Sequence, residues 1–188
     1  MRKLAVVLVA SAALTACSSG SQPAPAPSSP SSESKPKPTP TPSPNATAAS
    51  LDPCKILPAD AVSKTLFLDN LTAVAGPSQD NAANGGKSRS CEYKLGDKAA
   101  GALAVTRFEG REGKPADMVA SIKKGKAGAR DVAGFADGAV YYVDEQKTAT
   151  LASAKVVSGT PVLINYTGPA KMTPEQMAPL VKTALAAS

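Results

Sequence analysis

Three cysteines, Cys17, Cys54 and Cys91, are the residues best equipped for chemistry, and the chain contains no histidine. Without an imidazole there is no Ser-His-Asp or Cys-His arrangement and no His-rich zinc site. Carboxylate catalysis survives this exclusion, yet the one adjacent acidic pair, Asp144-Glu145, stands at a strand end before Lys147, where a solvated turn explains it. Glycosidic cleavage needs two carboxylates facing each other across a cleft. Ser121-Ile122-Lys123-Lys124 has the Ser-x-x-Lys spacing in which a lysine eases deprotonation of a nucleophilic serine. The same spacing recurs from Ser32 to Lys35 in a proline-rich tract, which marks it as a chance string. Asn81 to Ser88 ends in Gly-Gly-Lys-Ser, like the tail of a phosphate loop, but Asn81 replaces the first glycine and the segment precedes a strand. The expectation is therefore a protein that is not an enzyme, with no cofactor and no metal.

Charge narrows the partners. The chain has 21 Lys and Arg against 15 Asp and Glu, but from Leu51 onward the balance is 17 against 14. Interspersed signs without aromatic interleaving argue against a nucleic-acid partner. The densest basic run, Lys123, Lys124, Lys126 and Arg130, could touch anionic lipid headgroups or an acidic wall polymer. The ordinary reading is the solvated end of a helix, where cations suit the dipole.

Cys17 belongs to a different chemistry. Arg2 and Lys3 form a positive start, Leu4 to Ala16 a 13-residue apolar stretch, and Leu14-Thr15-Ala16-Cys17 a small-residue cleavage site. The apolar run is short for a spanning helix, so residues 1–16 are expected to be a signal peptide. Leu-Thr-Ala-Cys resembles the bacterial lipobox, whose cysteine receives a diacylglyceryl group and becomes the new N-terminus. Two or three acyl chains hold a protein to a membrane where one holds it marginally. Residues 18–50 carry nine of the 17 prolines and no aromatic residue, the composition of a disordered polyproline spacer. Residues 17–50 are thus the lipidated cysteine and linker, and 51–188 the globular domain.

With Cys17 lipidated, Cys54 and Cys91 are the remaining thiols of an exported chain and are expected to be bonded. Closing a loop of nearly 40 residues stabilises by roughly 3–4 kcal/mol on the chain-entropy model. A redox role would call for Cys-x-x-Cys spacing, which is absent.

The elements that position these groups follow from pattern. Pro58 and Asp60 suit the start of a helix running to about Phe67. Gly76-Pro77 and Asn81 to Gly86 suggest a polar loop, Cys91 to Leu95 and Ala102 to Glu109 two strands, and Pro115 a helix start with Met118, Val119 and Ile122 on one face. Asp137-Gly138 is a hairpin-type turn before a strand at 139–143; strands at 148–157 and 162–167 follow. Thr173-Pro174 opens a last helix with Met177, Leu180, Val181 and Leu185 on its stripe. The expected fold is α+β, with the order α-β-β-α-β-β-β-α: an antiparallel sheet of about five strands with helices on one face.

Asp52-Pro53-Cys54-Lys55-Ile56-Leu57, followed by helix and then Ser90-Cys91-Glu92-Tyr93, resembles a family of actinobacterial cell-envelope lipoproteins known as a domain of unknown function. Its opening is Asp-Pro-Cys-x-Leu-Leu-like, and Ile56 stands for the first Leu. Val132 to Tyr141 resembles the Gly-Leu-Gly-Asp-x-Ala-Tyr strand opening of that family and of some extracellular sensor domains, with Ala136 in place of the second Gly. The resemblance runs from Leu51 to Ser188 and implies the Cys54–Cys91 bond and an envelope address, but no reaction.

These readings converge on a monomer anchored through its N-terminal lipid on the extracytoplasmic side of the cell membrane. Its partner would be an envelope protein, wall polymer or lipid. One alternative is a lipid or small-molecule carrier, or a transporter-associated protein, with an apolar cavity that Ala102, Ala104, Ala152 and Ala154 could line. The other is a small hydrolase that works without histidine.

Overall fold

The computed structural model describes residues 52–188, which lie within one compact unit, Asn45–Ser188. The signal peptide, Cys17 and the linker lie outside the described residues. Within that unit the order is α1 (Pro53–Ile56), α2 (Ala59–Leu66), β1 (Leu71–Ala75), β2 (Gln79–Asn81), β3 (Gly86–Leu95), β4 (Lys98–Phe108), α3 (Pro115–Gly125), β5 (Arg130–Asp131), β6 (Ala139–Val143), β7 (Thr148–Val157), β8 (Thr160–Pro169) and α4 (Pro174–Ala187).

The eight strands form one antiparallel sheet in the order β1-β3-β4-β8-β7-β6-β5, with β2 pairing the far end of β3. This corrects the expected architecture in strand number, element order and helix placement. Sequence patterns gave five strands because β2 and β5 consist of exposed polar residues and β1 is a short edge strand; none carries the apolar alternation that marks a half-buried strand. The expected single first helix is two. Asp52 caps α1 by accepting from the Cys54 amide at 3.0 Å, Pro53 takes the first helical position, and Pro58 is the cap of α2 rather than its first residue.

Register explains the two faces. One row runs Cys91, Leu103, Tyr166, Leu151 and Tyr141 across five strands, and every member is buried. On this inner face α1, α2 and α4 place Ile56, Leu57, Val62, Met177, Leu180 and Val181. The opposite face presents Ala152, Ala154 and Val140 beneath Val119 of α3. Helices therefore cover both faces, contrary to the single-face expectation. The small residues at 152 and 154 let α3 approach the sheet closely, so these alanines do not line a cavity.

The ends of the elements are tied down. Cys54 of α1 is disulfide-bonded to Cys91 at the centre of β3, fixing the first helix on the inner face. Thr173 and Gln176 form a reciprocal capping box at the start of α4, with the Thr173 amide donating to Gln176 Oε1 at 2.9 Å. At its other end the Lys155 ammonium donates to the carbonyls of Leu185 and Ser188, a cation where the helix dipole is negative. Among the described residues no helix is long and apolar enough to cross a membrane.

Candidate functional site

The residue that shapes the sheet end is Gly101. It sits inside β4 between alanines, with the register shifting by one residue opposite Tyr93 and Lys94, so Ala100 is extra. A side chain at 101 would lie 2.5 Å from Tyr166 Oη and 2.8 Å from the Thr167 carbonyl oxygen. The glycine thus lets the Tyr166 ring cross the strand, an example of the close approach that an isolated glycine in a strand permits. Tyr166 and Tyr93 stack with ring centroids 6.1 Å apart.

Beyond this point the sheet forks. The β4–β8 ladder ends at Ala102 and Thr167, whereas β3–β4 continues to Leu95 and Lys98 and β7–β8 continues to Thr148 and Pro169. The start of β4 and the end of β8 therefore each pair with an outer neighbour but not with one another. A backbone edge without a ladder partner is a place where ligands and other chains can bind.

Two grooves flank the fork and share Ala99 and Pro169. The polar one, about 390 Å³, is lined by Glu92, Lys147, Thr148 and Thr167 with Gly101, Ala102 and Gly168. Glu92 is held by Lys94 at 3.4 Å. The apolar one, about 540 Å³, collects Leu66, Leu68, Leu95, Ala100 and Met172, with Lys98, Lys171 and Gln176 at its margin. Both fall in the size range of small-molecule sites.

Electrostatics separate the core beneath the fork from the surface. Tyr93 donates to the Leu57 carbonyl at 2.5 Å, whereas the buried Tyr166 hydroxyl has no partner among the described residues. Burial pushes both phenols well above their ordinary range, with the neighbouring Tyr166 adding to the effect at Tyr93. Carboxyls shifted downward lie elsewhere and on the surface: Asp80 through its bond to Arg89, Glu109 through Lys87, and Glu175 through the Thr173 hydroxyl. Among the described residues no group of three or more acidic or cysteine side chains could hold a metal ion.

The residues singled out from sequence are dispersed. Lys123 pairs with Asp131 at 2.6 Å, Lys126 lies over the Tyr142 ring at 5.3 Å and Arg130 over the Tyr141 ring at 5.0 Å, while Lys124 is exposed. Lys123, Lys124 and Lys126 sit on and just after the last turn of α3 and Arg130 opens β5; three of the four are engaged within the chain. Ser121 donates to the Asp117 carbonyl one turn back. Asp144 accepts the Thr148 amide at 2.8 Å in the β6–β7 turn. Gly86-Lys87-Ser88 open strand β3, with no helix after them. The fork was not anticipated, although Gly101 in an otherwise continuous strand pattern is the signal that points to it.

Comparison with curated proteins gave no match. Among solved structures, the extracellular domain of PknH from Mycobacterium tuberculosis is similar at a TM-score of 0.39 and 12% identity, over 71% of this chain and 93% of that one. A protein from Bacteroides thetaiotaomicron is similar at 0.34 and 12% identity, over 56% of this chain, which spans 39% of that protein. Residues 12–168 match a family described as a protein of unknown function, DUF3558. The chain belongs to the DUF3558 family.

Proposed function

We propose that the chain is a lipid-anchored, extracytoplasmic binding module of the cell envelope that works without catalysis, and that its ligand enters the fork between β4 and β8. The observation that carries the reading is the fork itself. A glycine-permitted break in an otherwise continuous sheet leaves unpaired backbone between one polar and one apolar groove. The surrounding chemistry supports binding over turnover. The shifted carboxyls are scattered over exposed surface, and Ser121 is bonded to its own helix. Both grooves open to solvent, which favours capture at the surface over carriage inside an enclosed cavity.

The address rests on sequence: the Leu14-Thr15-Ala16-Cys17 motif, the spacer after it, and a disulfide of the kind that persists in oxidising compartments. Mass spectrometry of native protein should find Cys17 as a diacylglyceryl-modified N-terminus; an unmodified Cys17 would refute the anchor.

The binding assignment is tested with the immobilised 45–188 unit, which contains the described sheet, both core clusters and the disulfide. It should retain a component of envelope extract that the Ala99→Trp variant, which places an indole at an exposed residue shared by both grooves, fails to retain. Equal retention by the two would overturn the assignment.

A further inference from the structure

We infer that the apolar groove holds the hydrocarbon tail of an anionic single-chain amphiphile, a carboxylate in the first instance, with Lys98 and Lys171 pairing its head. The inference rests on the fork being the binding site and goes on to name its ligand class. The groove's floor and walls are hydrocarbon: Leu66 and Leu68 follow from α2, Leu95 and Ala100 flank the β3–β4 turn, and Met172 precedes α4. The charged residues lining it are both cations, Lys98 at the start of β4 and Lys171 between β8 and α4; Gln176 is the other polar contributor. No carboxylate lines the groove. Three acids, Asp69, Asp97 and Glu175, adjoin lining residues in sequence without lining it themselves. An apolar trough with two cations at its margin and no anion is complementary to a molecule that is apolar along its length and negative at one end.

Phe67 adds an independent observation. It stands between the lining residues Leu66 and Leu68, is 93% exposed, and adopts the left-handed conformation at φ 55°. That conformation closes the C-terminal end of α2, the Phe67 amide donating to the Ser63 carbonyl, and it leaves the aromatic ring in water between two residues that line the trough. It is not itself part of the lining, and turning over a bound chain would bury it. A bilayer surface would meet Phe67 but would leave the concave floor unused, so the occupant is a single amphiphile taken from solution rather than the membrane plane.

Fluorescence titration of the 45–188 unit with cis-parinaric acid, a polyunsaturated fatty acid, tests the assignment, with its methyl ester and with phosphatidylglycerol and phosphatidylcholine vesicles as the other arms. Saturable one-to-one binding of the acid is expected. It should weaken by about tenfold or more for the ester and for Lys98→Glu/Lys171→Glu, persist in Lys98→Arg/Lys171→Arg, and weaken in Phe67→Ala. Absent saturation, equal binding of acid and ester, or retention on phosphatidylglycerol vesicles without monomer binding would each overturn it. If it fails while envelope extract still yields a component lost in Ala99→Trp, the ligand class alone falls; if that component is missing too, the fork falls with it.

Discussion

Tyr93 and Tyr166 offer a paired test of how the site is built, because they are stacked, both fully buried, and differ in one hydrogen bond. The Tyr93 hydroxyl donates to the Leu57 carbonyl at 2.5 Å, so Tyr93→Phe leaves a buried acceptor without that donor. Loss of such a bond costs about 1–2 kcal/mol. Among the described residues the Tyr166 hydroxyl, buried against Gly101, has no hydrogen-bond partner, so no protein bond compensates its transfer from water. Mutational data put that cost at about 1–3 kcal/mol. Tyr166→Phe keeps the ring and removes the oxygen, and should stabilise by about 1–2 kcal/mol, leaving the two variants about 2–4 kcal/mol apart. At this size each kcal/mol moves Tm by about 3–5 °C, so calorimetry on the two variants and the parent resolves the effect with opposite signs. A Tyr166→Phe variant that loses as much stability as Tyr93→Phe would refute the reasoning. The phenol would then have a partner, and the fork would rest on that bond rather than on the missing side chain at 101.

Three further outcomes follow from the same contacts. Gly101→Ala brings a methyl group to 2.5 Å from Tyr166 Oη, and should cost about 1–3 kcal/mol in urea unfolding, with a smaller loss in the Tyr166→Phe background; strict additivity would contradict the contact. Replacing Cys54 and Cys91 by serine opens a crosslink of sequence separation 37 and should cost about 3–4 kcal/mol, checked by denaturant unfolding; a loss under about 1 kcal/mol would contradict it. The native state keeps the two buried phenols protonated where the unfolded chain releases them. Stability is therefore full below about pH 10 and falls above it, by about 1.4 kcal/mol per pH unit for each group. Urea midpoints across that range measure the slope, and Tyr166→Phe should halve it.

Much of the fold was legible where burial writes a period into the chain. The strands at 139–143 and 148–157, the α3 stripe of Met118, Val119 and Ile122, and the Thr173-Pro174 helix start all carry patterns that packing then uses. Strands β1, β2 and β5 were illegible because their pairing is a backbone matter. Asp80 and Arg130 are exposed, and nothing in their side chains demands a strand. Helix placement on both faces was equally hidden, since the alternation in β7 is apolar on each side: Leu151 faces one core cluster and Ala152 the other.

The candidate site was less legible for a different reason. A search for titratable and nucleophilic spacing looks for side chains that react, and here it found Lys123, Ser121 and Asp144, which the structure occupies with other partners: Asp131 on β5 for Lys123, and a group in the same turn for Ser121 and Asp144. The fork arises instead from a residue with no side chain. Gly101 admits Tyr166, the β4–β8 ladder stops at Ala102 and Thr167, and Lys98 and Lys171 reach one groove from segments more than 70 residues apart in sequence.

The most direct test of the fork as the binding site is amide chemical-shift mapping of the 45–188 unit during titration with fractionated envelope lipids and wall polymers. The account predicts shifts concentrated at Leu66–Leu68, Lys98–Ala102 and Thr167–Met172. Saturable binding that perturbs α3 or the β2–β3 hairpin and leaves those three segments silent would contradict it.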